Sequence, residues 1–428
     1  MSTDHIIESP ASTNPLNILM VSWVWFRMGG DWTYVDNLRQ LYQQKGHNII
    51  PFAMKSDKDW ESYGYDKYFV EYIDYKKLNE DKSIINGVKA VSKSIYSKEA
   101  QRNLERLLDE TKIDIAHLHN INHYITPSIL PVLKKRNIPI VWTLHDYTLI
   151  CPENSFISHG TICEKCKGGK FVQCAINKCK KDSFLASSLA GLENYVHRYM
   201  HLFKHVDYFL CPSEFLYKKF YEFNFFRDKL AVTNLCFNFE NTADDSQPKP
   251  AEKYILYIGR LEKIKGIITL LKSLVGLNIP LKILGKGELQ EEIEAFIREH
   301  NMTTVELLGH KNQEDVYNLI NHAEFTVCPS EWYENYPFSI TEAMYFKKAI
   351  IGANIGGIPE LLLNEKTGLL FEPFNDQDLR EKIVRLWNDD ALKKELGQNA
   401  FDFISHQVSY SRHYSILKDI FKKVNLDL

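Results

Sequence analysis

The strongest constraint on the fold is an alternation of short apolar runs with helical stretches along the first half of the chain. The apolar runs are rich in β-branched and aromatic residues, and the stretches between them repeat apolar residues at helical spacing. Such alternation predicts parallel strands whose connecting helices cover both faces of a sheet, the doubly wound α/β class. The strands predicted in this half lie at 16–22, 49–52, 113–119, 139–144 and 208–211.

A polar segment at 238–252, with two prolines, interrupts this series and is typical of an interdomain linker. A second series follows, with strands predicted at 254–258, 281–284, 305–308, 325–327 and 349–351 and final helices at about 376–403 and 409–425. Ligands of open α/β sheets bind beyond the carboxyl ends of the strands, so two facing sheets would share a cleft. The predicted parts are a disordered tail at 1–15, an N-terminal domain at 16–240, a C-terminal domain at 253–405 and a last helix at 406–428.

The composition of the 428 residues, 44% apolar and 25% charged, is ordinary for a globular protein. A formal net charge of −3 argues against a dedicated nucleic-acid binder, which would carry a strongly basic domain. No run approaches the ~18 apolar residues of a membrane span, and residues 1–15 lack an apolar signal core. We therefore expect a cytoplasmic protein, with any membrane contact peripheral and at the inner face of the membrane.

Two glutamates stand out after the fourth predicted strand of the second half. Glu334 and Glu342 are separated by seven residues, and a helix predicted to begin near Pro337 places Glu334 just ahead of a helix N-terminus. The free N–H groups and the dipole there can hold an anion or sugar hydroxyls, and the Gly356-Gly357 turn lets backbone approach a ligand closely. On spacing alone, solvated charges on an ordinary helix are the simpler interpretation.

The neighbouring residues change that interpretation, because the segment resembles the Glu-x7-Glu signature of retaining GT-B glycosyltransferases, the family 4-like glycosyl transferases of group 1. The residues in family order are Ser330, Glu334, Asn335, Glu342-Ala343-Met344 and Gly356-Gly357-x-Pro359-Glu360. The resemblance implies two Rossmann-like domains facing a central cleft, with a C-terminal helix crossing back to the N-terminal domain. One departure is Pro337, where many members have Gly, so one backbone donor to the ligand is absent.

A loop after the strand at 254–258 carries Arg260 and Lys265 in an order that resembles the family's Gly-Arg-x4-Lys-Gly motif. A diphosphate suits this pair, because Arg binds oxygens with a planar fork and Lys with a point charge. The resemblance also places His145 against the donor sugar, although a lone His is more often structural. The implied catalytic set is His145, Arg260, Lys265 and Glu334.

The other family positions are implied to line the donor. They are Gly29, Gly30, Gly285, Gly287, Gly309, His310, Asn335, Tyr336, Phe338 and Glu342. Glu342 is expected to contact the ribose, and Glu334 the hydroxyls of the transferred sugar. The competing interpretation of the glycines is a set of ordinary tight turns, since Gly-x-Gly alone is a weak signal. His310 is expected to serve loop geometry rather than catalysis.

An insertion at 151–182 is the feature least typical of the family. It holds five cysteines, and four of them are predicted to bind one structural zinc: Cys163, Cys166, Cys174 and Cys179. The alternative is a set of reduced thiols, and the thiol of Cys151 leaves the ligand set open. Six lysines of the insertion could meet an acceptor diphosphate or anionic lipid headgroups, or could simply be solvated: Lys165, Lys167, Lys170, Lys178, Lys180 and Lys181. We expect this loop to overhang the acceptor side of the cleft.

Together these features favour a retaining glycosyltransferase that moves a sugar from a nucleoside diphosphate sugar to a hydroxyl acceptor, a glycan or lipid-linked glycan of cell-surface polysaccharide. No Asp-x-Asp metal motif lies beside the predicted donor loops, so catalysis is expected to need no cofactor. Two alternatives stay open, a nucleotide-sugar epimerase of the same fold and a sugar-nucleotide-binding partner subunit without turnover. A zinc-module nucleic-acid binder is disfavoured, because no basic domain accompanies the lysines.

Overall fold

The computed structural model describes residues 14–72, 93–238 and 252–426. Most of the predicted tail at 1–15, the interior of the predicted linker at 238–252 and the start of a helix predicted over 81–110 lie outside these residues. None of the helices within the described ranges is both long and apolar enough to cross a membrane.

The N-terminal half is built on one parallel sheet. Its strands in chain order, including a small separate hairpin of β5 and β6, are β1 (Asn17–Val21), β2 (Asn48–Phe52), β3 (Ile115–Leu118), β4 (Ile140–Thr143), β5 (Ile157–Ser158), β6 (Thr161–Ile162), β7 (Tyr208–Cys211) and β8 (Leu230–Val232). The sheet has the spatial order β2-β1-β3-β4-β7-β8. Its central strands β3 and β4 are buried along their whole length and apolar except for His117 and Thr143, as expected of a sheet covered on both faces.

The described helices of this half are α1 (Gly30–Gln44), α2 (Lys98–Glu110), α3 (Leu130–Lys135), α4 (Val172–Ile176), α5 (Phe184–Tyr199) and α6 (Glu214–Glu222). Three of them begin after a serine, Ser97, Ser183 or Ser213, whose side chain accepts a hydrogen bond from a backbone N–H of the first turn. These caps satisfy donors that a helix start would otherwise leave unpaired.

The C-terminal half repeats the plan. Its strands are β9 (Ile255–Ile258), β10 (Leu281–Leu284), β11 (Val305–Gly309), β12 (Phe325–Cys328), β13 (Ala349–Ala353) and β14 (Leu369–Phe371), in the all-parallel order β11-β10-β9-β12-β13-β14. Its helices are α7 (Ile267–Leu274), α8 (Gln290–Glu299), α9 (Gln313–His322), α10 (Phe338–Tyr345), α11 (Ile358–Leu361), α12 (Asp376–Trp387), α13 (Asp390–Gln407) and α14 (Tyr410–Lys423). The predicted doubly wound class is confirmed in both halves.

Each sheet has a point where the strand order reverses. In the N-terminal sheet β1 lies between β2 and β3, and in the C-terminal sheet β9 lies between β10 and β12. Successive connections leave such a strand in opposite directions, which opens a crevice at its carboxyl end. The loops that follow β1 and β9 carry the predicted glycine pair and the predicted cations, so the fold places both groups at ligand-binding positions.

The last helix, α14, packs on the N-terminal domain. The hydroxyl of Tyr34 and the Nε2 of His413 are 3.1 Å apart, and the hydroxyl of Tyr414 lies 2.8 Å from the Nε2 of His47. The hydroxyl of Tyr410 donates to Asn37 at 3.0 Å. The crossing helix implied by the family resemblance is therefore confirmed.

The structure also differs from the prediction in detail. β8 and β14 were not predicted, because each is a three-residue edge strand too short to show a periodic pattern. The helix predicted at 376–403 is two helices. They are separated at Asn388, and the side chain of Asp389 caps the second by accepting from the N–H of Leu392.

Candidate active site

A buried ion pair occupies the carboxyl edge of the C-terminal sheet. Lys265 ends a short 3-10 helix between β9 and α7, and Glu334 lies between β12 and α10. Lys265 Nζ donates to Glu334 Oε1 at 2.6 Å, and Ser330 Oγ donates to the same oxygen at 2.6 Å. Glu334 is only 6% exposed. The structure thus joins Lys265 and Glu334, which were predicted from the sequence to have separate roles.

The charge state of Glu334 follows from these contacts. Burial acts to raise the pKa of Glu334, but the Lys265 ammonium and the hydrogen bonds from Lys265 and Ser330 outweigh it, so the pKa lies below its ordinary value. An ionised carboxylate accepts hydrogen bonds from sugar hydroxyls, and the adjacent ammonium can bind a phosphate oxygen.

The predicted Gly356-Gly357 turn fixes the backbone of Glu334. The N–H of Gly357 donates to the carbonyl of Glu334 at 2.7 Å. Gly356 has a φ of +63°, and a Cβ there would lie 2.5 Å from the same carbonyl oxygen. Only glycine meets both demands, so the turn positions the carboxylate.

Arg260 lies at the same edge as Lys265 but in a different environment. Its side chain is 64% exposed and pairs with Glu262 at 2.6 Å. One predicted cation, half-buried Lys265, is therefore paired with a buried carboxylate, while the other lies at the surface and can change partner without leaving a buried charge unpaired.

The remaining glycine loops pack against the loop of Arg260. Gly285 has a φ of +151°, and a Cβ there would lie 1.8 Å from the carbonyl oxygen of Gly259. Its N–H donates to the carbonyl of Gly309 at 2.9 Å, and a Cβ on Gly287 would meet the same strand-end loop at Leu261. His310 directly follows Gly309 in the chain, and its side chain is exposed. The glycines thus keep three strand-end loops in close contact.

Glu342 is placed differently from Glu334, since a glutamine rather than a cation contacts its carboxylate. Gln313 Nε2 donates to Glu342 Oε1 at 3.3 Å, and Arg27 of the N-terminal domain reaches Gln313 Oε1 at 3.5 Å. Burial raises the pKa of Glu342 to about 7, and the Gln313 hydrogen bond and the charge of Arg27 oppose the rise only in part. Arg27 and Gln313 were missed, because neither belongs to a recognisable motif.

The N-terminal edge carries a second polar group at the ends of β1, β3 and β4. His145 Nδ1 lies 3.7 Å from Asp31 Oδ1, and His145 Nε2 lies 3.3 Å from the Nδ1 of buried His119. Asn120 Nδ2 donates to the other oxygen of Asp31 at 3.1 Å. Partial burial acts to raise the pKa of Asp31. The pKa nevertheless lies below its ordinary value because of His145, Asn120 and, across the cleft, Arg260.

The sequence predicted His145 here but missed Asp31 and His119 as site residues. A signal was present, because Asp31 directly follows the glycine pair and His119 follows a buried strand. Parallel strands end at the same edge of a sheet, so polar residues at neighbouring strand ends come together.

Gly30 and Phe338 meet where the two domains touch. A Cβ on Gly30 would lie 2.6 Å from the Phe338 ring, which also packs edge-on against Phe237 at 4.9 Å between centroids. The space around the Cα of Gly29 is open, since a Cβ there would meet nothing within 4 Å. Gly29 thus borders the cleft, whereas the Phe338 side chain is used in domain contact.

Asn335 also joins the domains. Its Oδ1 accepts from the Ser213 hydroxyl at 2.8 Å, and its Nδ2 donates to the carbonyl of His145 at 3.3 Å. The predicted donor contact of Asn335 stays a prediction, since its side chain already has partners in the N-terminal domain. The hydroxyl of neighbouring Tyr336 is buried without a hydrogen-bond partner among the described residues.

Glu360 makes a further cross-domain contact that the sequence did not predict. Its carboxylate accepts hydrogen bonds from the N–H groups of Glu214, at 2.8 Å, and Phe215. These are first-turn donors of α6, so a residue of one domain completes the helix start of the other.

Pro337 is the N-cap of α10, and its missing N–H removes one donor at the start of that helix.

The cysteine insertion forms a small apolar cluster. Cys166 and Cys174 are buried around Phe171, and Cys179 packs against them. Burial and neighbouring thiols raise the pKa of Cys166 to about 12, whereas the hydrogen bond from Cys174 lowers the pKa of Cys179. Across the described residues, no group of three or more His, Cys, Asp or Glu side chains is arranged to hold a metal ion. The zinc site at Cys163, Cys166, Cys174 and Cys179 gains no support from this geometry and stays a prediction.

The insertion reaches the C-terminal domain next to the buried ion pair. Glu164 accepts from the hydroxyl of Tyr333 at 3.1 Å and pairs with Lys219 at 2.8 Å. Tyr333 directly precedes Glu334. The insertion therefore lies beside the buried ion pair, and its expected place on the acceptor side of the cleft stays a prediction.

Two family descriptions match the chain in tandem. Glycosyltransferase Family 4 matches residues 28–238, and Glycosyl transferases group 1 matches residues 238–403. The two matches meet at the start of the predicted linker and between them cover most of both sheets.

Individual glycosyltransferases also resemble part of the chain in sequence. An uncharacterized glycosyltransferase of Methanocaldococcus jannaschii is 30% identical over 170 residues, which are 40% of this chain and 48% of that protein. An alpha-1,4-N-acetyl-D-galactosaminyltransferase of Campylobacter jejuni, whose name includes a PP-undecaprenol-linked glycan, is 30% identical over 190 residues, 43% of this chain and 51% of that protein. The chain thus spans about half the length of these relatives.

A solved structure extends the likeness to the whole chain. Anabaena HepE, crystallised with UDP and glucose, superposes with a TM-score of 0.65 at 15% identity, covering 96% of this chain and 99% of that one. At this identity the likeness shows a shared fold alone.

Proposed function

This chain belongs to the glycosyl transferases of group 1 and has the GT-B fold, and we propose that it moves a sugar from a nucleoside diphosphate sugar to a hydroxyl acceptor. The observation that carries the proposal is the buried pair of Lys265 and Glu334 at the switch point of the C-terminal sheet. The pair offers a cation for phosphate and an ionised carboxylate for sugar hydroxyls within one site.

Lys265 and Arg260 hold the diphosphate in this proposal. Negative charge develops on the phosphate oxygen as its bond to the anomeric carbon breaks, and cations already in place there lower the barrier. Glu334 keeps Lys265 in position at 2.6 Å, whereas exposed Arg260 exchanges Glu262 for the phosphates when the donor binds.

Transfer proceeds on one face of the sugar, so that the anomeric configuration is retained. The bond between the anomeric carbon and the phosphate oxygen breaks with its electron pair on that oxygen, and the acceptor oxygen bonds to the anomeric carbon. The acceptor proton passes to the departing phosphate oxygen. Glu334 orients the sugar hydroxyls, and His145 contacts the sugar from the opposite edge while Asp31 fixes its ring at 3.7 Å.

Glu342 binds the ribose of the donor. Its carboxyl group is half-buried beside Gln313, and the charge of Arg27 acts on it. Hydroxyl donors from a ribose would compensate the burial that raises its pKa. Anabaena HepE was crystallised with UDP and glucose, and we include uracil among the bases this chain would accept.

The acceptor is a glycan or a lipid-linked glycan of cell-surface polysaccharide. The Campylobacter jejuni relative carries a PP-undecaprenol-linked glycan in its name, and the cysteine insertion beside the cleft is rich in lysines that suit a diphosphate. A lipid-linked acceptor requires the protein to work at a membrane surface, so peripheral contact at the inner face belongs to the proposal.

Catalysis needs no metal in this proposal, because Lys265 and Arg260 supply the charge. Transfer should therefore persist in EDTA. Activity that is lost in EDTA and returns only with magnesium or manganese would contradict metal-free catalysis.

The structural zinc is a separate proposal. Elemental analysis of protein purified without chelator or metal-affinity resin tests it, since one bound equivalent is expected and five freely titratable thiols would exclude it.

A thermal-stabilisation screen of sugar nucleotides tests the function. A ligand that binds only the folded protein raises its midpoint by mass action, so a hit identifies base and sugar. The hit is then incubated with soluble and lipid-linked acceptors, and sugar transfer is expected. No stabilisation by any sugar nucleotide contradicts donor binding, while stabilisation with epimerised donor and no transfer identifies an epimerase.

A further inference from the structure

Helix α5 buries its polar side and exposes its apolar side. Four of its buried residues are polar, and the structure gives each a partner. Ser187 accepts from the N–H of Lys180 at 2.9 Å, Glu193 pairs with His123 at 2.7 Å, and His197 contacts the carbonyl of Ile95. Asn194, the fourth, donates to the carbonyl of the preceding helical turn. An ordinary surface helix turns such residues to water and buries its apolar ones.

The exposed side of α5 is correspondingly apolar. Leu185 is 70% exposed and Tyr199 86% exposed, with Leu192 and Tyr195 between them, at successive spacings of seven, three and four residues. These spacings place all four on one stripe of the helix. The stripe continues onto α4, because the N–H of Val172 donates to the Tyr195 hydroxyl at 3.1 Å.

We define the apolar face as Val172, Ile176, Leu185, Leu192, Tyr195 and Tyr199. Segment 172–200 holds eight of the fourteen exposed large apolar side chains among the described residues. That concentration, on a helix whose polar side is buried, marks an interaction surface rather than scattered exposure.

Positive charge is concentrated in the segment that carries the apolar face. Residues 163–200 contain seven Lys and Arg against three Asp and Glu, whereas the whole chain has 52 against 55. Two of the three acids, Glu164 and Glu193, are already paired within the protein. Exposed lysines therefore dominate the charge of this segment, among them Lys170, Lys178 and Lys181, and we refer to these exposed lysines as the lysine rim.

We propose that the apolar face, with its rim of lysines, docks on an anionic membrane surface. A helix that presents leucines and tyrosines between lysines lies in the plane of a lipid interface, with aromatic rings at headgroup depth and ammonium groups on the phosphates. A protein partner of equal size would not require this excess of one charge. The inference rests on the lipid-linked acceptor proposed above, and it names the surface that would bring that acceptor to the cleft.

The position of the face supports this. The same insertion holds Glu164, which contacts Tyr333 at 3.1 Å, one residue from Glu334. A membrane docked on α4 and α5 would lie on the insertion side of the cleft, so a diphosphate at the headgroup level could reach the site without leaving the bilayer.

Co-sedimentation of the full chain with vesicles tests the proposal without turnover. Binding is expected to vesicles of phosphatidylcholine with phosphatidylglycerol and not to phosphatidylcholine alone. Leu185→Ser with Tyr199→Ser should lower the partition coefficient about tenfold or more, and so should Lys178→Glu with Lys181→Glu. The matched control is Leu363→Ser with Phe374→Ser, which removes exposed apolar side chains from the C-terminal domain and should change nothing.

Three results would overturn it. One is no binding to anionic vesicles, a second is equal binding by the Leu185/Tyr199 variant, and the third is a dimer in sedimentation velocity that this variant dissociates, which would make a second copy the occupant. Stabilisation by sugar nucleotides is measured on the same preparations. If it persists while vesicle binding is absent, only the membrane surface is wrong, and the proposed function stands.

Discussion

The two domains that face each other across the cleft keep their buried ionisable groups in different ways. On the C-terminal edge, Glu334 is held ionised by Lys265. In the N-terminal domain, burial holds imidazoles neutral, lowering the pKa of His117 to about 3 and that of His47 to about 4. A buried charge is thus paired where the diphosphate is expected, whereas these histidines of the N-terminal domain are uncharged. The exception at the N-terminal edge is Asp31, whose pKa lies below its ordinary value because of His145.

His117 shows how a neutral imidazole is accommodated. Its Nδ1 lies 2.9 Å from the Tyr42 hydroxyl and its Nε2 lies 2.8 Å from the Thr143 hydroxyl, while its ring stacks on His119 at 4.6 Å. A neutral ring can donate through one nitrogen and accept through the other, so both contacts are satisfied without a charge. Protonation would turn the accepting nitrogen into a second donor and bury a cation.

The largest expected effect is acid lability of the N-terminal domain. A histidine with a depressed pKa contributes stability that is present above its unfolded pKa, near 6.5, and is lost as pH falls towards its folded pKa. Burial lowers the pKa of His47 and His413 to about 4 and that of His117 to about 3. The loss is therefore about 3 kcal/mol for each at two pH units below 6.5, against a typical total of about 5–15 kcal/mol. Urea unfolding at pH 7 and pH 4.5, followed by hydrogen exchange of peptides from each domain, should show the N-terminal peptides losing protection first.

His117→Gln sharpens this test, because Gln keeps a donor and an acceptor but cannot be protonated in this range. The slope of unfolding free energy against pH reports the number of protons taken up on unfolding, and that number should fall by about one between pH 6.5 and 4.5. An unchanged slope, or earlier loss of protection in the C-terminal peptides, would contradict the comparison between the two domains.

The next effect concerns the charged edge. Lys265→Met should lower turnover about 10²–10³-fold by removing charge from the departing phosphate, and should lower stability by about 3–5 kcal/mol because Glu334 stays buried without its cation. Steady-state kinetics and urea unfolding measure the two losses.

A double variant separates those losses. Lys265→Met with Glu334→Gln removes both charges, so most of the stability should return while turnover stays low. Arg260→Met is the matched control, because Arg260 is 64% exposed and its loss should lower turnover with little change in stability. Full activity in the double variant would end the assignment of Lys265 to the diphosphate.

The sequence predicted the parts of this molecule that depend on local pattern. The doubly wound halves follow from apolar periodicity, and the loop of Lys265 and the turn after Glu334 follow from short motifs with fixed glycines. Periodicity and turn chemistry act over a few residues, so they can be found in one chain without its structure. The three-residue edge strand β14 carries too little pattern to be recognised in this way.

Contacts between distant segments were not predictable. Asp31 and His145 are 114 positions apart, and Arg27 meets Gln313 across 286 positions. The order of strands in the sheet decides which strand ends lie side by side. The docking of the two domains decides which side chains meet across the cleft. The exposed stripe of α5 was hidden for a related reason, because helical periodicity reveals an apolar face but not whether that face is buried.

A smaller effect is expected at the N-terminal edge of the cleft, where Asp31 lies 3.7 Å from His145. Asp31→Asn should lower kcat about tenfold and leave donor KM nearly unchanged, because the loss is the orientation of His145 rather than a phosphate contact. Asp31→Glu should recover part of the rate, and the pH profile of kcat should change in Asp31→Asn. Asp36→Asn, on the same helix and paired only with Arg39 at 2.7 Å in the described contacts, is the control and should leave both constants as they are. A rise in donor KM instead would place Asp31 on the donor.

The smallest effect lies where the two domains touch, since Glu360 brings a carboxylate of the charged domain to the first turn of α6 in the other. Glu360→Gln keeps one acceptor oxygen but removes the charge that favours a helix N-terminus, so the loss should be about 1 kcal/mol. Because 1 kcal/mol is about a fivefold change in an opening equilibrium, hydrogen exchange of the peptide containing Glu214 and Phe215 should quicken about fivefold while α2 is unaffected. Glu214→Gln removes an exposed first-turn charge from the same helix and should change exchange by less. Equal effects of the two variants would show that the Glu360 contact acts through the helix dipole alone and does not join the domains.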